Sequence, residues 1–293
     1  MDMSVVHGTV VVGVDGSEAG SAALLWAVRA AALEGRGLTV VHATGFAGAM
    51  DDLEDVLASE RGLLSVGRSI VREAVREARA ADWTVGVESV VTTGDPSTML
   101  VEASETAAMV VLGARGRGAV VSALLGSVSA PVIREAACPV VVVRSAADVL
   151  RDGPVVVGVD GTPASTAAVE HAFHAASVRG RPLTVLHATW DLREHVSSVV
   201  DLRTYAQKVN LSEEEERLVA ETMAGLGEKY PDVAVTEMYR RGDPVHQLVE
   251  ASRAASLVVV GTRGRRLVRS RLLGSVSRGV VERAACPVAV VRP

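Results

Sequence analysis

The sequence predicts an α/β protein with two tandem, doubly wound domains, each a five-stranded parallel sheet of order 3-2-1-4-5 with helices on both faces. The first observation behind this is an internal repeat. Gly-Ala-Arg-Gly at 113–116 with Gly-Ser at 126–127 returns 148 residues later as Gly-Thr-Arg-Gly at 261–264 with Gly-Ser at 274–275. The second is that short valine-rich runs alternate with longer helical patterns in both copies. A repeat of this length indicates complete domains rather than solenoid units.

The strands of the first copy are short β-branched runs, the pattern typical of strands buried in a parallel sheet. They are expected at residues 9–15, 38–43, 85–93, 109–112 and 139–144. Parallel neighbours need crossover connections, so helices should fill the intervals. Ser17 suits the N-cap of the first helix, and Gly-Asp-Pro at 94–96 turns the chain into the third. These helices are expected at residues 17–33, within 51–81, at 97–106 and at 127–137.

The second copy repeats the same order of elements. Its strands are expected at residues 155–160, 183–188, 233–239, 257–260 and 288–292, and its helices after Thr162-Pro163, near 212–230, after 242–244 and at 275–285. Early landmarks of the two copies lie 145 residues apart and later ones 148, so the second copy has gained three residues around its long helix. The loop spacing is unchanged, which favours a functional loop. We expect domains at residues 1–147 and 152–293.

Composition excludes several classes of protein. A net charge of −5 gives no basic field for nucleic acid, and 3% aromatic residues are too few to line a base-stacking groove. No apolar run approaches the roughly 18 residues of a membrane span, and residues 1–14 lack a signal-peptide pattern. Two cysteines make no disulfide framework. We therefore expect a cytoplasmic protein with neither nucleic-acid nor membrane partners.

The small-residue loop after the fourth strand is the candidate site. Such a loop, running into a helix, presents backbone N–H groups to an anion. Asp15 and Asp160 close the first strands, and the strand order places each aspartate across a crevice from its loop. A carboxylate there suits a ribose hydroxyl, an adenine amino group or a divalent cation. The alternative is that each aspartate only caps the next helix.

Two other nucleotide motifs are excluded. A P-loop needs Gly-Lys-Ser/Thr, and the only lysines are Lys208 and Lys229. The glycines after the first strand do not have dinucleotide-fingerprint spacing. The pattern Gly-x2-Gly-x9-Gly-Ser, with an aspartate closing the first strand, resembles the universal stress protein family in its ATP-binding branch. The resemblance covers essentially the whole chain as a tandem pair.

The resemblance implies one nucleotide pocket per domain. In the first it assigns Asp15, Ala43, Leu112, Gly113, Arg115, Gly116, Gly126, Ser127, Val128 and Ser129. In the second it assigns Asp160, Ala188, Val260, Gly261, Arg263, Gly264, Gly274, Ser275, Val276 and Ser277. The family often has valine where this chain has Ala43 and Ala188, a change that would widen the pocket.

The resemblance also implies an ATP-binding stress-response regulator or sensor rather than a fast enzyme. Its cofactor would be ATP, with Mg²⁺ left open. The two domains would pair through the fifth strands, at 140–143 and 288–291, with a homodimer and an unidentified regulatory protein as further partners. Two alternatives remain: a slow ATPase or adenylyl-transferring enzyme on the same pocket, for which Asp15 or Asp160 is the candidate base, and an interaction scaffold without a ligand.

Three other features receive structural interpretations. Cys138 and Cys286, each before a proline, are expected to be buried small residues and not a disulfide. His42 and His187 lack a metal-ligand cluster and are expected to be polar residues ending the second strands. The second loop is rich in arginine, at 263, 265, 266, 269 and 271, against Arg115 and Arg117 in the first. A solvated loop is the default for it, and a γ-phosphate clamp or a contact with an acidic partner is the alternative.

Overall fold

The computed structural model describes residues 4–45, 53–116, 125–149, 151–189, 202–262 and 273–293. The chain divides into two compact units, Met1–Arg151 and Asp152–Pro293. None of the helices in these described ranges has the length and apolar character needed to cross a membrane.

The first unit is built on a parallel sheet of five strands. They are β1 (Val10–Gly13), β2 (Leu38–Ala43), β3 (Val87–Thr92), β4 (Met109–Gly113) and β5 (Val140–Val143). Their order is β3-β2-β1-β4-β5. Val10 of β1 is in register with Leu38 on one side and Met109 on the other, so β1 lies in the middle. Its three valines are fully buried, as a central strand covered on both faces requires. The predicted sheet and strand order are confirmed.

Four helices cover this sheet: α1 (Glu18–Glu34), α2 (Leu53–Ala81), α3 (Pro96–Ala103) and α4 (Ser129–Glu135). Ser17 is the N-cap of α1, as predicted, and Gly35 ends that helix with φ of 61°, a left-handed conformation that glycine adopts without strain. The sequence predicts α4 from residue 127, but it begins at Ser129, because residues 126–128 belong to the loop.

The second unit repeats the architecture. Its strands are β6 (Val155–Val159), β7 (Leu183–Thr189), β8 (Val235–Arg241), β9 (Leu257–Gly261) and β10 (Val288–Val291), in the order β8-β7-β6-β9-β10. Its helices are α5 (Pro163–Arg179), α6 (Leu202–Met223), α7 (Leu226–Lys229), α8 (Pro244–Ser252) and α9 (Ser275–Arg283).

The long helix of this unit differs from the prediction of one helix near 212–230. It begins ten residues earlier, at Leu202, and stops at Met223. Gly225 then takes a φ of 76°, which interrupts the helical path before the short α7. The apolar periodicity continues across this glycine, so the sequence pattern did not reveal the break.

Candidate functional site

Each unit contains a cavity at the carboxyl ends of its central strands, where ligands gather in doubly wound sheets. Cavity 1, in the first unit, has a volume of about 250 Å³ and is lined by the ends of β1, β2 and β4. Cavity 2, in the second unit, has a volume of about 580 Å³ and lies at the ends of β6, β7 and β9.

The residues assigned from the sequence come together around these cavities. All ten first-domain residues line cavity 1: Asp15, Ala43, Leu112, Gly113, Arg115, Gly116, Gly126, Ser127, Val128 and Ser129. Eight second-domain residues line cavity 2: Asp160, Ala188, Val260, Gly261, Gly274, Ser275, Val276 and Ser277. The other two, Arg263 and Gly264, lie outside the described residues, as do Arg117 and the remaining arginines of the second loop.

The aspartates organise the turn that precedes the first helix of each unit. Asp15 Oδ1 accepts hydrogen bonds from the amide (3.0 Å) and hydroxyl (2.5 Å) of Ser17. The Ser17 hydroxyl oxygen in turn accepts from the Gly20 amide at 3.1 Å, so Ser17 is the cap and Asp15 orients it. In the second unit Asp160 Oδ1 accepts from the amide and hydroxyl of Thr162, at 3.1 and 2.7 Å. The aspartates do not themselves cap the helices.

The second Asp15 oxygen lies against the glycine loop. A Cβ built on Gly116 would stand 2.5 Å from Asp15 Oδ2, so a side chain at 116 would displace the carboxylate. Glycine at this position therefore lets the loop approach the aspartate across the crevice. This is the juxtaposition that the strand order predicts.

Gly113 and Gly261 have a packing role as well as a place in the cavity lining. A Cβ on Gly113 would lie 2.8 Å from the carbonyl carbon and oxygen of Ala19, and one on Gly261 would lie 2.6 Å from Ala164 O. These glycines allow α1 and α5 to pack closely on the sheet.

Two serines follow each loop, and they differ in burial and hydrogen bonding. Ser129 Oγ donates to Gly113 O at 2.8 Å and Ser277 Oγ donates to Gly261 O at 2.5 Å, and both serines are buried. These hydroxyl protons hold the loop closed on its strand. Ser127 and Ser275, in contrast, are exposed at the cavities.

The helices that start at the cavities differ in their capping from α1, α3, α5 and α8, although the short α7 after Gly225 also lacks a side-chain cap. Side chains of Ser17, Asp95, Thr162 and Asp243 cap α1, α3, α5 and α8. At Val128 before α4 and at Gly274 before α9 no side chain forms a cap hydrogen bond. The first amides of a helix have no acceptor within it. In α4 the Ala130 amide donates to Gly126 O at 3.2 Å and Pro131 has no N–H, so Ser129 N in α4 and the amides of residues 275–277 in α9 are the ones that an outside partner could use.

Sequence reasoning missed three kinds of cavity residue. His42 and His187 line the cavities, and the Nδ1 atom of each lies 2.7 Å from a carbonyl oxygen, that of Val14 or Val159. Leu100 with Pro96, and Leu248 with Pro244, supply apolar walls. The signal was present, because each of these positions repeats between the two copies at the same offset as its neighbours.

Metal-binding groups are sparse in the part of the chain that the structure describes. It contains no cluster of three or more His, Cys, Asp or Glu side chains that could hold a metal ion. Among the described lining residues, each cavity has one carboxylate, Asp15 or Asp160.

Comparisons with known proteins agree on one family. A model described as the universal stress protein family matches residues 7–144 and 153–292. A universal stress protein of Mycobacterium tuberculosis strain H37Rv is 41% identical over 298 residues, spanning 98% of this chain and 97% of the relative. One from Mycolicibacterium smegmatis is 36% identical, with 97% of each chain covered. The crystal structure of a universal stress protein from Archaeoglobus fulgidus is 21% identical with a TM-score of 0.70, covering 97% of this chain and 98% of its own, a likeness of fold.

Proposed function

This chain belongs to the universal stress protein family in a tandem form, and on that premise we propose that it is an ATP-binding stress-response regulator with one nucleotide site per domain. Cavities 1 and 2 are the sites, and turnover is absent or very slow. Domains at residues 1–147 and 152–293 would each bind one ATP.

The observation that carries this proposal is the missing side-chain cap at Val128 and Gly274. The starts of α1, α3, α5 and α8 have a side-chain cap, whereas the helices that begin at the two cavities do not. Backbone amides beside a cavity, with no acceptor of their own, suit the oxygens of a phosphate chain. Ser127 and Ser275 add exposed hydroxyls next to them.

The opposite side of each cavity suits a nucleoside. Asp15 and Asp160 are acceptors, and an acceptor favours ribose hydroxyls over phosphate. Apolar residues such as Leu112, Leu100 and Val41 in cavity 1 offer aliphatic walls for a base. Mg²⁺ favours carboxylate and phosphate oxygens, so Asp15 and Asp160 are the residues that would hold a nucleotide-bound Mg²⁺.

Binding without rapid turnover follows from how the aspartates are used. Each lining carboxylate has its Oδ1 engaged by the amide and hydroxyl of the next Ser or Thr. That arrangement holds each carboxylate as an acceptor in the turn before the helix, which is a positioning role. ATP occupancy would then act as a signal to a regulatory protein partner.

The test is to measure the nucleotide content of each cavity after blocking it from inside. Gly126 and Gly274 suit this purpose, because neither has a positive φ and a Cβ on Gly126 meets no atom closer than 3.5 Å. Gly113 and Gly261 do not suit it, since larger residues there would strike a helix. We expect protein purified and then denatured to release two ATP per chain. The single variants Gly126→Leu and Gly274→Leu should release one each, and the double variant none.

Gly62→Leu is the control, because Gly62 is exposed on α2 with open space around its Cβ position. It should retain both nucleotides. Release of ADP with phosphate accumulating over time would favour the slow ATPase. A wild-type protein that releases no nucleotide and also fails to bind added ATP, with or without Mg²⁺, would favour a ligand-free scaffold and refute the proposal.

A further inference from the structure

His187 is a buried polar group whose hydrogen bonding is incomplete. Its Nδ1 lies 2.7 Å from Val159 O, and a carbonyl oxygen can only accept, so Nδ1 carries a proton. In the neutral ring Nε2 is then an acceptor. The residue is 3% exposed, and among the residues that the structure describes Nε2 has no hydrogen-bond partner. Buried polar atoms are rarely left unpaired without a reason.

The surroundings of His187 point to an occupant of cavity 2 as the missing partner. His187 lines that cavity together with apolar residues, among them Leu248 and Val260. The next polar side chain along β7, Thr189, is already engaged, because its hydroxyl donates to Glu215 and accepts from Arg241. Among the described β7 residues that line cavity 2, His187 is the one whose side chain has a polar atom without a partner, Nε2.

The first domain lacks this arrangement although it has the same histidine. His42 Nδ1 also lies 2.7 Å from a carbonyl oxygen, that of Val14. There, however, α2 comes close to the ring: a Cβ on Gly67 would lie 2.8 Å from His42 Cδ2 and 3.4 Å from Nε2. Glycine at 67 is what permits this approach.

The second domain carries Glu215 at the position equivalent to Gly67. The buried pairs Val71 and Val219, and Ala74 and Thr222, fix this correspondence at an offset of 148. A residue with a Cβ cannot approach the histidine ring as glycine does, and the Glu215 side chain instead pairs with Arg241. Cavity 2 is the larger of the two, at about 580 against 250 Å³.

We propose that His187 selects the base in cavity 2, its Nε2 accepting a hydrogen bond from the amino group at position 6 of adenine. This deepens the proposed function and rests on it. A purine with a carbonyl at that position would place an acceptor against an acceptor, so cavity 2 discriminates adenine from hypoxanthine, whereas cavity 1 does not discriminate through His42.

The experiment uses full-length protein with one cavity blocked. In the Gly126→Leu background, titration calorimetry at pH 8 should show ATP binding roughly tenfold more tightly than ITP, whose base is hypoxanthine. Adding His187→Asn keeps a donor for Val159 O but removes the second nitrogen. It should weaken ATP binding to the level of ITP and leave ITP binding nearly unchanged.

The matched control is His42→Asn in the Gly274→Leu background, where the ratio of ATP to ITP affinity should not change. The comparison of ATP with ITP on the intact histidine needs no substitution at 187, so a poorly folded His187→Asn would not block the test. Equal affinity for the two nucleotides, or a preference that survives His187→Asn, refutes the role of His187 and leaves the proposed function intact. Failure of the Gly126→Leu protein to bind any nucleotide refutes both.

Discussion

Replacing Gly113 by alanine should destabilise the first domain, although alanine is the smallest possible change. The added Cβ would lie 2.8 Å from two backbone atoms of Ala19, and α1 would have to move by about half an ångström to restore an ordinary contact. Neither contacting group is a side chain that could rotate away. Overpacking of this kind costs about 1–3 kcal/mol. Gly126→Ala is the matched control, because its Cβ would meet nothing closer than 3.5 Å.

Urea unfolding followed by tryptophan fluorescence measures this difference. Trp26 lies on α1, the helix that the new methyl group contacts, and is 6% exposed. With a slope of about 2 kcal/mol/M, a loss of about 2 kcal/mol lowers the unfolding midpoint by roughly 1 M. Gly126→Ala should leave the midpoint unchanged or raise it slightly, since alanine reduces the entropy of the unfolded chain. Equal midpoints for the two variants would show that Gly113 is not required for helix packing.

Three further predictions concern stability and thiol chemistry. Ser104→Ala should destabilise the first domain by about 1–3 kcal/mol, because the buried Ser104 oxygen is the acceptor for the Ala137 amide at 2.8 Å. The unfolding midpoint in urea measures this loss of stability, and Ser69→Ala on the exposed face of α2 is the control. Burial raises the pKa of the Cys138 thiol to about 12, so at pH 8 it should react with a thiol reagent far more slowly in the native protein than in urea, and equal rates would contradict this. Burial, aided by the charges of Arg179 and His174, lowers the pKa of His171 to about 4. Because the unfolded histidine, with a pKa near 6.5, binds the proton more readily, this residue should cost stability progressively as pH falls from 6.5 towards 4, by up to about 3 kcal/mol. His171→Phe should remove that part of the pH dependence, which unfolding curves at pH 7 and pH 5 would detect.

The sequence by itself determined the architecture of the chain. Valine-rich strands such as 9–15 must be buried on both faces, and parallel strands need helical crossovers, so the alternating pattern is sufficient for the sheet. The repeat located the two loops. The residues that the family resemblance assigned line the cavities, apart from Arg263 and Gly264, which lie outside the described residues. What the pattern could not fix were the limits of elements. The break at Gly225 depends on one backbone dihedral angle, which leaves no trace in the apolar periodicity.

Only the tertiary structure decided what individual residues do. Gly113, Ser129 and Gly67 are small residues in the sequence, and small size is compatible with a ligand, a tight turn or a neighbouring helix. The role of each residue depends on its neighbour: Ala19 for Gly113, the Gly113 carbonyl for Ser129, and His42 for Gly67. These neighbours lie far along the chain or on another element. Likewise, His42 and His187 have the same local sequence context, His-Ala-Thr. They differ in the residue at the equivalent position of the neighbouring long helix, which is Gly67 in the first domain and Glu215 in the second. Periodicity and spacing describe one chain segment at a time, whereas the chemistry of a cavity depends on which distant segments meet there.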